Sequence, residues 1–100
     1  MSEAAKEQRP APLVLRSLRQ TQHGTFFSEW VGETIDGLAL YVRCKHGWLE
    51  AWTGPTLYDA TVADEPVFAR RYDGKAEHNM GMGEMTTEEM LTHTRFVVVR

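Results

Sequence analysis

Apolar and polar positions alternate most regularly between residues 38 and 53, where LALYVRC and WLEAWT flank His46-Gly47. Glycine at the second position of a two-residue turn suits a tight hairpin, so the segment predicts two antiparallel strands. Closing the turn at His46-Gly47 pairs Lys45 with Trp48, Arg43 with Glu50 and Tyr41 with Trp52 on one face. Cys44 with Leu49, Val42 with Ala51 and Leu40 with Thr53 fall on the other. The first face holds an opposite-charge pair and an aromatic pair, each worth a few tenths to about 1 kcal/mol across strands. A three-residue loop would instead put Glu50 among Leu40, Val42 and Cys44, so the two-residue register is preferred.

The same reasoning extends both ways. Residues 1–12 are polar, charged and interrupted by Pro10 and Pro12, which predicts a flexible tail ahead of one globular domain over residues 13–100. Residues 13–22 and 25–35 read as two strands separated by His23-Gly24. Asp36-Gly37 then predicts a second two-residue hairpin turn, pairing Val31 with Val42 and Ile35 with Leu38. That register carries a conflict, because Glu29 and Glu33 join the apolar face; a bulge at Gly32 could reset the phase. The side taken by Trp30 is left open.

Beyond Gly54-Pro55, alternation of Tyr58, Ala60 and Val62 predicts a strand over residues 56–63, and residues 67–72 predict another. Residues 75–85, KAEHNMGMGEM, have no periodicity and read as a loop. Thr86 and Glu89 then form a capping box, with Met85 and Met90 at the positions of a hydrophobic staple, predicting a short helix over about residues 87–94. RFVVVR, residues 95–100, reads as a final strand with a buried, non-edge position. The fold expected is mainly β: an antiparallel meander or small open barrel of about six or seven strands, with one short helix before the C-terminal strand.

Composition narrows the function. Hydrophobic residues make up 42% and charged residues 25%, which suits a folded domain. The net charge of −3, all of it in the second half, disfavours broad nonspecific nucleic-acid binding. One cysteine excludes an internal disulfide framework and fits a reducing compartment; with no long apolar run or leader-like core, a cytoplasmic location is expected and a membrane partner is not.

Candidate chemistry lies in three places. The hairpin face of Tyr41, Arg43, Lys45, Trp48, Glu50 and Trp52 interleaves aromatics with charges and suits a protein partner, unless a second layer covers it as core. Small β-barrel peptide readers use aromatic surfaces of this kind, an analogy of architecture only. The same face, helped by Arg16 or Arg19, would serve a single-stranded nucleic acid. His78, Met80 and Met82 combine imidazole and thioether, ligands for a soft ion such as Cu(I). Cys44 and His46 are close in sequence, but alternation points Cys44 into the aliphatic face, where thiols are inert. No phosphate-binding loop or zinc spacing is present.

The expectation is therefore a non-enzymatic interaction module of the adaptor or inhibitor type, without a cofactor. The alternatives are a single-stranded nucleic-acid binder and a copper carrier. An unpaired strand edge offers a homodimer contact.

Overall fold

The computed structural model describes residues 12–71 and 83–99. Within them, the chain runs β1 (Val14–His23), β2 (Phe27–Thr34), β3 (Ala39–Lys45), β4 (Trp48–Gly54), α1 (Leu57–Val62), β5 (Phe68–Arg71), α2 (Thr87–Thr94) and β6 (Val97–Val98). The six strands form one sheet in the order β5-β4-β3-β2-β1-β6, curled into a half-barrel. Five strands are antiparallel neighbours, and β6 lies parallel to β1. The chain is mainly β with short helices, the class expected.

The central hairpin has the predicted register throughout, from Lys45 opposite Trp48 to Leu40 opposite Thr53. His46 and Gly47 both take positive φ, 53° and 80°, the backbone a tight two-residue turn requires. The preceding connection differs. Trp30 lies opposite Val42, Val31 opposite Tyr41 and Glu33 opposite Ala39, one residue away from the predicted pairing. The loop comprises Ile35, Asp36 and Gly37, closed by the Thr34 N–H to the Leu38 carbonyl at 2.8 Å and the Gly37 N–H to the Thr34 carbonyl at 3.1 Å. Gly37 sits at φ 93°, as expected of a three-residue hairpin loop ending in a left-handed residue. Thr34 stiffens the turn, its hydroxyl donating to Asp36 and accepting from the Leu38 N–H.

That one-residue shift removes the conflict, because it exchanges the faces of every β2 side chain relative to β3. Trp30 turns inward and is fully buried, whereas Glu29 falls opposite Arg43 on the other face. The inner face carries Leu15, Trp30, Leu40, Val42, Cys44, Leu49 and Ala51, which pack with Phe68, Met85, Met90 and Phe96. Bulges in β1, between Leu15 and Ser17 and between Gln20 and Gln22, bend that strand along the sheet.

Helix α2 covers the inner face. Its capping box is complete: the Thr86 hydroxyl accepts from the Glu89 N–H at 3.1 Å, and Glu89 accepts from the Thr86 N–H at 2.9 Å. Met85 and Met90 are both fully buried in the core, as a staple predicts. Polar side chains fix its entry. Trp30 Nε1 donates to Thr87 Oγ1 at 3.0 Å, Thr87 donates to Gln20 Oε1 at 3.2 Å, and Gln20 Nε2 donates to the Met85 carbonyl at 3.0 Å. The indole N–H inside the core is thereby satisfied.

Two elements overturn their predictions. Residues 56–63 form helix α1 rather than a strand, since Thr56 is an N-cap whose hydroxyl accepts from the Asp59 N–H at 3.2 Å. Only Ala60 of α1 is buried; Tyr58 and Val62, the presumed strand face, are exposed. The final strand is two residues long, parallel, and at the sheet edge, with Val97 and Val99 exposed and Phe96 buried. Return through α2 brings it alongside β1 in the same direction, and one-sided burial follows from ordinary strand alternation.

Candidate interaction surface

The outer face of the sheet is ordered as ladders running across the strands. From one end, the rows read Ser17–Glu33–Ala39–Gly54, then Arg19–Val31–Tyr41–Trp52, then Glu29–Arg43–Glu50–Ala69, and last Phe27–Lys45–Trp48–Arg71. The six residues singled out from the sequence, Tyr41, Arg43, Lys45, Trp48, Glu50 and Trp52, all belong to this face.

They do not form one bare platform. Tyr41 and Trp52 stack with ring centroids 5.7 Å apart and planes at 30°, and Arg43 lies over Trp52 at 5.3 Å from its centroid. Trp52 is only 9% exposed. Arg43 also approaches Glu50 at 3.7 Å, while its Nε is buried without a hydrogen-bond partner among the described residues. The Tyr41 hydroxyl donates to Glu29 Oε2 at 2.7 Å, and the Thr21 hydroxyl donates to Oε1 at 3.0 Å. Burial, reinforced by the hydrogen bond to Glu29 and its charge, pushes the phenol up to about 12. This half of the surface is a tied network.

The last row is more open. Trp48 is half-buried, Lys45 is exposed with its ammonium 5.9 Å from the half-buried Phe27 ring, and Arg71 is exposed beside Trp48. At the opposite end α1 rests on the outer face. A Cβ at Gly54 would come within 2.8 Å of Asp59 Cβ and 2.9 Å of the Ala60 nitrogen, so only glycine admits the helix this closely. Beside it lies a depression of about 400 Å³ walled by Leu57 and by Arg19, Val31 and Gly32 of the sheet. Glu29, Phe27 and α1 were not anticipated as parts of this surface; the signal for α1 was the Thr56-x-x-Asp59 spacing, the same start signature that marks α2.

Elsewhere the candidates separate. Cys44 is fully buried on the inner face, and burial together with the nearby Glu89 charge pushes its thiol up to about 12, far from a thiolate at neutral pH. His46 occupies the turn. His93 on α2 sits with Nδ1 3.3 Å from Arg70 Nη1; burial and the Arg70 charge lower its pKa, while Glu89 opposes them. Among the described residues no group of three His, Cys, Asp or Glu side chains could hold a metal ion. His78, Met80 and Met82 lie outside the described residues. No helix among the described residues is long and apolar enough to cross a membrane.

No protein-family model matches this chain, and neither a curated protein nor a solved structure matches it.

Proposed function

We propose that the protein is a non-enzymatic interaction module, of the adaptor or inhibitor kind, that docks a protein partner on the outer face of its half-barrel. The observation that carries this reading is the Phe27–Lys45–Trp48–Arg71 row, where accessible aromatics alternate with cations beside the rigid Tyr41–Trp52–Arg43 network. Interface energy concentrates in aromatic and arginine side chains held by well-packed neighbours, which is the arrangement here. Trp52, Tyr41 and Glu29 act as support, and Trp48, Lys45 and Arg43 make the contacts. A protein suits this face better than a nucleic acid because Arg43 is already neutralised by Glu50 and the chain carries −3 overall. The single buried thiol fits work in a reducing cytoplasm.

The test is a photo-cross-linking amino acid placed at position 48 and, as control, at position 88 on α2. Position 48 is expected to give one discrete protein adduct that survives nuclease and moderate salt, and position 88 none. Nuclease-sensitive adducts at 48 would favour the nucleic-acid alternative, and adducts only at 88 would move the interface to the helix side.

A further inference from the structure

We infer that the depression beside α1 receives a large apolar side chain of the protein partner with a carboxylate next to it, the carboxylate pairing with Arg19. The inference rests on the docking reading above and names the partner's chemistry. Val31 and Leu57 of α1 supply its apolar side chains, Gly32 leaves room between them, and Leu18, which packs against the core, borders it. A volume of about 400 Å³ is at the small end of ligand pockets and suits one bulky side chain with its attached group.

The cation at its rim is open to solvent. Arg19 is exposed and has no ion pair or hydrogen bond among the described residues. Arg16, three residues earlier, differs: it donates to the Ile35 carbonyl at 2.8 Å and lies 3.7 Å from Glu33. The carboxylates flanking it in the ladder are already engaged, Glu33 by Arg16 and Glu29 by Tyr41 and Thr21, and the Asp59 carboxylate accepts from Thr56, the N-cap of α1. Charge complementarity follows. Arg19, Lys45 and Arg71 project from the outer face, where Glu50 is paired with Arg43, Glu33 with Arg16, and Glu29 accepts from Tyr41 and Thr21, while Glu84, Glu88 and Glu89 lie around the start of α2. A guanidinium fork matches a carboxylate in bidentate fashion, and the apolar side chains select what the carboxylate is attached to.

The experiment uses N-acetyl-leucine and N-acetyl-leucinamide as probes, titrated into the ¹⁵N-labelled full chain and its Arg19→Gln and Leu57→Ser variants. The acid is expected to shift the amides of Ser17, Arg19, Gly32 and Leu57 and to bind at least about tenfold more tightly than the amide, the scale of a charge-assisted hydrogen bond. Arg19→Gln should abolish that difference, and Leu57→Ser should weaken both probes. Equal binding of acid and amide, shifts confined to other residues, or no shifts at all would overturn the inference. Cross-linking from position 48 separates it from the reading beneath. Adducts that fall about tenfold in the Arg19→Gln/Leu57→Ser background support the pocket. Adducts unchanged there reject the pocket and leave the docking face standing, whereas no adducts in the wild type reject both.

Discussion

Trp48 and Trp52 lie four residues apart on the same face of β4, yet their truncation is expected to have very different costs. Trp52 is 9% exposed, stacked on Tyr41 and covered by Arg43. A tryptophan side chain removes roughly 150–250 Å² from water, which at about 25 cal/mol per Å² amounts to ~4–6 kcal/mol. A compact unfolded state trims this, and the aromatic stack and cation contact restore some of it, so Trp52→Ala is expected to cost about 3–5 kcal/mol. Trp48 is only half-buried, and Trp48→Ala should cost about 1–2 kcal/mol. A 100-residue domain has about 5–15 kcal/mol in total, so the first variant approaches unfolding and the second does not. In thermal melts, at roughly 4–8 °C per kcal/mol, Trp52→Ala should lower the midpoint by ~12–40 °C and Trp48→Ala by ~4–16 °C. Urea unfolding followed by far-ultraviolet circular dichroism gives both free energies directly. Equal costs, within about 0.5 kcal/mol, would refute the division of this face into a packed half and an open half.

Three further outcomes follow from local geometry. Gly54→Val would drive a side chain into Asp59 and Ala60, so α1 should detach; amide exchange at Ala60 should rise sharply while the α2 amides stay protected. Arg95 caps α2 at φ 64° with its N–H bonded to the Leu91 carbonyl, a conformation strained for any residue with a Cβ. Arg95→Gly should therefore raise stability by about 0.5–1 kcal/mol in denaturant titration. Finally, His93 has a lowered pKa in the folded chain, so the unfolded chain binds more protons below the ordinary histidine value. The stability linked to this group is fully present above pH ~6.5 and is lost as pH falls through the window beneath it. His93→Gln should flatten the pH dependence of the unfolding midpoint below pH ~6.5.

How far the sequence reached depends on how local each decision is. The 45–48 hairpin was legible to the residue because turn chemistry, the Arg43–Glu50 pair and the aliphatic set all select one register. The 34–38 hairpin was not, because Asp36-Gly37 marks a turn without telling a two-residue loop from the three-residue loop that includes Ile35. The clash of Glu29 and Glu33 with the apolar face was the sequence's own signal that the register was off by one. Helix α1 was hidden because Tyr58, Ala60 and Val62 alternate like a strand, whereas its cap chemistry is satisfied locally by Thr56 and Asp59. The parallel, edge position of β6 depends on pairing with β1 more than eighty residues away, beyond the reach of any local pattern. The candidate site was legible as a list of residues on one face. Its division into supported and accessible halves depends on Glu29, which took the outer face only in the true register, and on Arg43 lying over Trp52.

On the proposed reading, the outer face and not the helix-covered side meets the partner. The most direct measurement is an amide chemical-shift map of the labelled chain, taken while the protein cross-linked at position 48 is titrated in as a free, unmodified species. Docking on the outer face would centre the perturbations on residues 27–29, 43–45, 48–50 and 69–71, with α2 and β6 unchanged. Perturbations centred on α2 or β6, with the Phe27–Lys45–Trp48–Arg71 row unmoved, would contradict it.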